Sequence, residues 1–362
     1  TSNEMYYNYG VSVEKNDDFL NGLSTLDIIL IYNHIASITA FESPYKYLAA
    51  DINNDQKVSL ADVVELKKLI LGKIAQLENN SSWRFITKGQ SFFDDTDPWP
   101  FVERISVIDL SHDMMDQDFM GVKIGDISGD AAPNDKQLVE VRSTGQQSFS
   151  IDDRYLESGK RYSMTVSADN LQDSRGFQST LRIEDASVIK IKALSMPISE
   201  EDYHIDGELI SLSYVNDAAQ DLNGLLFEIQ FIAGHSDWLS NSLSVVSQLV
   251  DSQIYMGSEL NIERLLINVN KDQDKSESIL YQNQPNPFYD QAIIHFSIPS
   301  SGEVQFKFMD VNGRLLYSAK DEYTAGEHQL LITHEMFNYS GIIYYSMSNG
   351  TSTHTRKMVS IK

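Results

Sequence analysis

The sequence predicts a multidomain α+β chain, with a small helical domain built around an oxygen-rich loop and then two all-β sandwiches. Three observations predict it. Apolar residues Val63, Val64, Leu66, Leu69 and Ile70 recur at helical spacing directly behind the loop Asp51–Asp62. From Gln137 the pattern changes to short alternating strands separated by Gly, Asn and Asp clusters. After a proline-rich break at Pro285 and Pro287, a second series of strands runs to the end. The boundaries this implies are 1–136, 137–272, a polar linker at 273–278, and 279–362.

The chain has 362 residues, 41% of them hydrophobic, enough for two or three cores. Its formal net charge of −24 speaks against nucleic acid as a partner, because no basic face balances a phosphate backbone. The same acidity suits a protein that gathers cations. There are no cysteines, so disulfides and thiolate metal sites are excluded. No apolar run approaches the roughly 18 residues of a membrane span. The chain opens on Thr1 without a signal-peptide pattern, as expected of a mature form or a piece of a longer chain.

In the loop Asp51–Asp62, the residues Asp51, Asn53, Asp55, Ser59 and Asp62 fall at positions 1, 3, 5, 9 and 12. Position 7 needs only a backbone carbonyl, which Lys57 supplies. That is the ligand schedule of a calcium loop, with Asp in place of the usual bidentate Glu at the last position. Calcium is a hard cation, and alternate oxygen side chains of a tight loop can converge on it. Gln56 stands at position 6, where Gly normally takes the turn, at a cost of about 1 kcal/mol. Ser59 is placed to cap the helix that follows.

A shift of about 35 positions superimposes Ser24-Thr-Leu-Asp27-Ile-Ile on Ser59-Leu-Ala-Asp62-Val-Val. Counting back from Asp27 gives a second loop with Asn16, Asp18, Gly22 and Ser24 at ligand positions. Leu20 at position 5 cannot bind calcium and Asn16 brings no charge, so this first loop reads as degenerate and the weaker metal candidate. Two such loops, each followed by one helix, resemble the type I dockerin of cellulosome-type proteins over about residues 11–75. Dockerins bind cohesin domains through their helix faces, and the resemblance makes Thr25 and Leu60 contact candidates, although either could equally be core. The longer module resembles one recurring in secreted proteins of the Bacteroidetes type.

Behind Gly72 the sequence is irregular and rich in aromatics, from Trp83 to Trp99. So many rings in a loop-rich stretch argue for burial against the helical unit and against a free linker. Asp94, Asp95 and Asp97 form an acidic turn that could also hold a cation. Asp126, Ser128 and Asp130 repeat the opening of a calcium loop with no helix behind them, which fits either a turn or a minor metal site.

The strands expected in the first sandwich are Val139–Val141, Tyr162–Val166, Ser179–Ile183, Leu209–Leu212 and Leu225–Phe231. The order of Gly176-Phe-Gln178-Ser-Thr180, Ser211-Leu-Ser213-Tyr214 and Leu226-Phe-Glu-Ile-Gln-Phe231 resembles a cohesin-like domain. Carbohydrate-binding modules share this architecture but need an exposed aromatic platform, for which Tyr203, Tyr214, Trp238 and Tyr255 are the candidates. In the last segment, Asp310-Val-Asn312-Gly313 marks a hairpin turn. Asn283-Gln-Pro285-Asn286-Pro287-Phe288, that Asp-x-Asn-Gly-Arg hairpin, Gly341 before a Tyr-rich strand, and the closing Lys357-Met358-Val359 resemble the type A C-terminal domain read by the type IX secretion machinery. The resemblance implies export to the extracellular face of the outer membrane.

No nucleophile–base pair, zinc-protease helix or phosphate loop is present, so the chain is not expected to be an enzyme. The expectation is a calcium-loop helical (dockerin-like) domain beside a cohesin-like sandwich and a secretion domain, forming a non-catalytic binding and assembly protein of the cell surface. Its partner would be a cohesin-like domain in cis or in trans. The alternative is the accessory region of an extracellular glycoside hydrolase, with the sandwich binding polysaccharide.

Overall fold

Each loop of the repeat is followed by a helix of the expected kind in the computed structural model. It describes residues 7–132, 145–169, 171–217, 220, 222–270, 278–350 and 352–361. Helix α1 spans Thr25–Ile35 and α3 spans Leu60–Ile70, with the short α2, Pro44–Ala50, between them. Both long helices begin in the same way. Ser24 and Ser59 cap them, and Asp27 and Asp62 close reciprocal capping boxes that satisfy otherwise orphaned N–H groups. Leu23, Ile28, Ile31, Leu48, Val63, Leu66 and Ile70 meet in one apolar cluster.

That cluster also takes in Ile86 and Val122 from two strands, Trp83–Thr87 and Phe119–Lys123, which pair antiparallel behind the helices. A further short pair joins Tyr9–Val11 to Ile105–Val107. Phe92, Trp99 and Phe101 lie partly buried on the cluster, whereas Phe93 is fully exposed.

The expected fold class is corrected here. Strands make up 44% of the described residues and helices 11%, so the chain is a largely all-β, multi-sheet protein and not a helical domain followed by sandwiches. The physical reason lies in how far each signal reaches. Capped helical spacing is a local property and yields two 11-residue helices. The rest of the expected helical domain is strand and loop, and the helices, which pack on one another, share their core with the strand residues Ile86 and Val122.

Two compact units emerge. The first comprises Thr1–Ile151, Ser163–Phe231 and Leu243–Asn268; the second comprises Asp152–Tyr162, Ile232–Ser242 and Val269–Lys362. In the first unit, strands from a ten-stranded sheet carry the core residues Phe149, Phe177, Leu181, Ile210 and Phe227. The strand Ser174–Ile183 pairs with Leu209–Val215 so that Gln178 faces Ser213 and Thr180 faces Ser211. These two strands are buried along nearly their whole length on both faces, while Arg161–Ala168 alternates in the ordinary way. Something covers their polar side, and it is α1.

The second unit contains a three-stranded sheet, with Gln291–Ile298 paired to Gly326–Thr333, and a four-stranded sheet ending in Gly341–Ser348 and Thr353–Ser360. Phe296, Phe306, Phe308, Ile332, Tyr345 and Met358 fill the space between them. At the hairpin, Asp310 accepts from the N–H groups of Asn312 and Arg314, both at 2.9 Å, and Gly313 takes the left-handed φ of 79°. The expected strand Val139–Val141, and the linker at 273–278 apart from Ser278, lie outside the described residues. Among the described residues no helix is long and apolar enough to cross a membrane.

Candidate metal loop and helix-docking face

The loop Asp51–Asp62 joins the end of α2, where Asp51 is the C-cap, to the start of α3. Asn54 and Gln56 both adopt left-handed backbone, φ 61° and 67°, so Gln56 does occupy the conformation that Gly usually supplies. The Asp51 carboxylate accepts from the N–H of Asp55 at 2.9 Å and of Gln56 at 3.0 Å. Asp62 accepts from the N–H of Asn53 at 3.1 Å and of Ser59 at 2.9 Å. Asn53 Oδ1 and Asp55 Oδ1 take the N–H groups of Asp55 and Lys57. Every one of these donors belongs to the loop itself.

Asp51 is 3% exposed and Asp62 fully buried, while Asp55 and Lys57 lie at the surface. Burial, with the charges of Asp62 and Asp55 added, pushes the Asp51 carboxyl up to about 6. Burial raises Asp62 as well. Among the described residues no basic side chain forms a salt bridge with either one. Among the described residues, too, no three acidic or histidine side chains are gathered closely enough to hold a metal ion. The carboxylate oxygens point instead at the N–H groups of their own loop.

The first loop is arranged differently. Asn16 Oδ1 accepts from Ser82 N at 2.8 Å, Asp18 has a φ of 44°, and Leu20 packs into the helical cluster. Asp27 is fully buried; its Oδ2 accepts from Ser24, and its Oδ1 accepts from the N–H groups of Ile127 and Ser128, both at 2.8 Å. The structure thus brings Asp27 beside the Asp126–Asp130 segment, a meeting that no sequence spacing announces. Asp126 closes that segment as a turn, accepting from Gly129 N at 2.6 Å and from Ser128 Oγ at 3.1 Å. Burial pushes Asp27 up to about 7 and also raises Asp130. Next to them, Lys123 is 4% exposed, and burial pushes its ammonium down to about 8.

Thr25 joins the helical part to the sandwich strands. Its N–H donates to Gln178 Oε1 at 2.6 Å and its hydroxyl lies 2.7 Å from that of Ser213. Thr25, Gln178 and Ser213 are all buried. Four residues on, Ile29 lies over Gly176, where an added Cβ would meet Ile29 Cδ1 at 3.1 Å and the Tyr214 carbonyl at 2.6 Å. At the other end of the face, Lys67 on α3 pairs with Asp202 at 2.5 Å, and Lys73 donates to the Glu200 carbonyl. Leu60, the second contact candidate, is 52% exposed and turned to solvent. Sequence reading missed Gln178, Ser213, Lys67 and Asp202 as contact residues; the available signal was the polar alternation Ser211-x-Ser213 on an otherwise apolar strand.

None of the four aromatic candidates for a sugar platform is exposed. Tyr214 and Tyr255 are buried, and Tyr203 and Trp238 are half-buried. In the second unit the C-terminal motif residues meet one another. Asn286 Oδ1 accepts from Val359 N at 2.9 Å, and Phe288 exchanges backbone bonds with Val359 and Ile361. The peptides before Pro285 and Pro287 are cis. Phe288 and Met358 are fully buried, Lys357 is exposed, and Gly341 starts its strand at a φ of 134° opposite Ser360.

No protein-family model matches the sequence, and no curated protein matches it. Among solved structures, the third cohesin of ScaC in complex with the ScaB dockerin, from Acetivibrio cellulolyticus, is similar at 14% identity and a TM-score of 0.27, over 33% of this chain and 93% of that one. CaCohA2 from Clostridium acetobutylicum is similar at 12% identity and a TM-score of 0.26, over 35% of this chain and 92% of that one. A non-cellulosomal cohesin from the archaeon Archaeoglobus fulgidus is similar at 16% identity and a TM-score of 0.25, over 34% and 88%.

Proposed function

We propose that this chain is a non-catalytic binding and assembly protein of the cell surface, in which a calcium-stabilised pair of helices is held in cis on the face of its own cohesin-like sandwich. The observation that carries the reading is Thr25. It stands where the dockerin resemblance expects a partner contact, and its N–H and hydroxyl are bonded to Gln178 and Ser213 of the same chain. Polar groups buried with their partners give such a face its register.

Calcium would be held by Asp51, Asn53, Asp55, Ser59 and Asp62 with the carbonyl of Lys57. The donor set is all oxygen, the turn at Gln56 already has the φ the loop requires, and the two buried carboxylates repel each other, with no salt bridge to either among the described residues. The ion supplies positive charge there when bound, and loop order becomes linked to its concentration. In this reading the 279–362 segment is the address label for type IX secretion, and the protein is displayed outside the outer membrane. Support for it comes from the motif residues Asn286, Phe288 and Val359, which hold one another in the folded domain.

The test is a calorimetric calcium titration of the full chain beside Asp51→Ala. A binding heat in the native chain that disappears in the variant is expected. Equal heats in both, or none in either, would remove calcium from the reading.

A further inference from the structure

We propose that the first loop is closed by the protein itself, with the segment Lys123–Ala132 taking the place a metal ion takes in the second, so that calcium governs only the α3 end of the docked helices. The proposal rests on the calcium reading of the Asp51–Asp62 loop for its second half. Its first half stands on an asymmetry between the two loops. In the second loop, among the described residues, the carboxylates of Asp51 and Asp62 take hydrogen bonds only from that loop. In the first, Asp27 Oδ1 is saturated by two N–H groups a hundred residues away in sequence, those of Ile127 and Ser128.

Three further contacts complete the clasp. The Lys123 ammonium is buried and donates to the Phe19 carbonyl at 2.9 Å and to the Ile124 carbonyl at 3.2 Å. Its charge interacts with the carboxylates of Asp126, Asp18 and Asp27. Asn21 and Ala132 are joined twice, side-chain amide to carbonyl at 2.8 Å and backbone N–H to side-chain oxygen at 3.0 Å. Ala131 lies so close over Gly22 that a Cβ there would fall 2.6 Å from its backbone. A cation at the first loop would have to displace N–H groups and an ammonium brought in from a remote segment, whereas in the second loop it competes with N–H groups of the loop itself. A tethered ammonium cannot be chelated away. Removal of calcium leaves Thr25 seated on Gln178 and Ser213, while the loop that positions Lys67 and Lys73 loosens.

Hydrogen exchange followed by mass spectrometry on the full chain, with calcium and with chelator, tests this together with the stoichiometry of the calcium titration. Expected are one calcium per chain, faster exchange in chelator over residues 51–71, and no change over residues 16–35. Lys123→Met should speed exchange over residues 16–27 by at least about tenfold in either condition. Two calcium ions per chain, or equal loosening of both loops by chelator, would overturn the clasp. If the native chain takes no calcium at all, the metal reading of the second loop fails by itself. The clasp is then decided by Lys123→Met alone, and unchanged exchange over residues 16–27 would reject it. Should that variant not fold, Asn21→Ala, which removes the paired contact to Ala132, gives the same readout.

Discussion

A single carboxyl group shows how burial turns into a measurable property. Asp51 is held near 6 because the folded loop shields it from water and places Asp62 and Asp55 beside it. Its folded value lies above the unfolded one of about 3.9, so the folded chain keeps a proton that the unfolded chain has lost. The stability this proton contributes is present below about pH 4 and is lost as pH rises through about 6. In chelator, the melting temperature should therefore fall between about pH 5 and about pH 7.5 more steeply in the native chain than in Asp51→Asn. Saturating calcium should abolish the difference, because the metal replaces the proton. Parallel slopes in chelator would show that Asp51 does not titrate in this range. Elsewhere, Phe288 is fully buried against Phe337, and its ring fills the end of the C-terminal core. Phe288→Ala should cost about 3–5 kcal/mol in denaturant unfolding, the usual loss for emptying such a space.

At the scale of elements, α1 and α3 are near copies in sequence with opposite fates at their first residues. Thr25 is buried under two hydrogen bonds to the sandwich, while its counterpart Leu60 faces water. The helices therefore lie on the sheet at different ends: α1 docks by its N-terminus and α3 by Lys67 of its last turn, on Asp202. A double-mutant cycle of Lys67→Ala and Asp202→Ala should give a coupling of about 1–3 kcal/mol, since both side chains are largely removed from solvent. Leu60→Ala, in contrast, should change stability by no more than about 0.5 kcal/mol. A coupling near zero would mean that the pair is not formed in solution.

For the whole molecule, the decisive feature is that the helices do not constitute a domain of their own. Their apolar cluster draws on Ile86, Val122 and Val250 as well as on their own residues, and their polar N-terminal face is completed by sandwich strands.

Much of this was legible in the residues. Ser24 with Asp27 and Ser59 with Asp62 announced two capped helices, Asp310 to Gly313 announced a hairpin, and alternation announced the C-terminal strands, because each is a short-range effect of backbone geometry and local hydrogen bonding. The turn at Gln56 was legible too, from its position in the loop. What only the tertiary structure decided was where these pieces go. Residues 83–87 and 119–123 became paired strands through partners more than thirty positions apart. Asp27 acquired Ile127 and Ser128, Thr25 acquired Gln178 and Ser213, and Asn286 acquired Val359, all across long stretches of chain. Long-range contacts of this kind form when buried polar groups must find donors or acceptors wherever the folded chain offers them, and no local pattern encodes that choice.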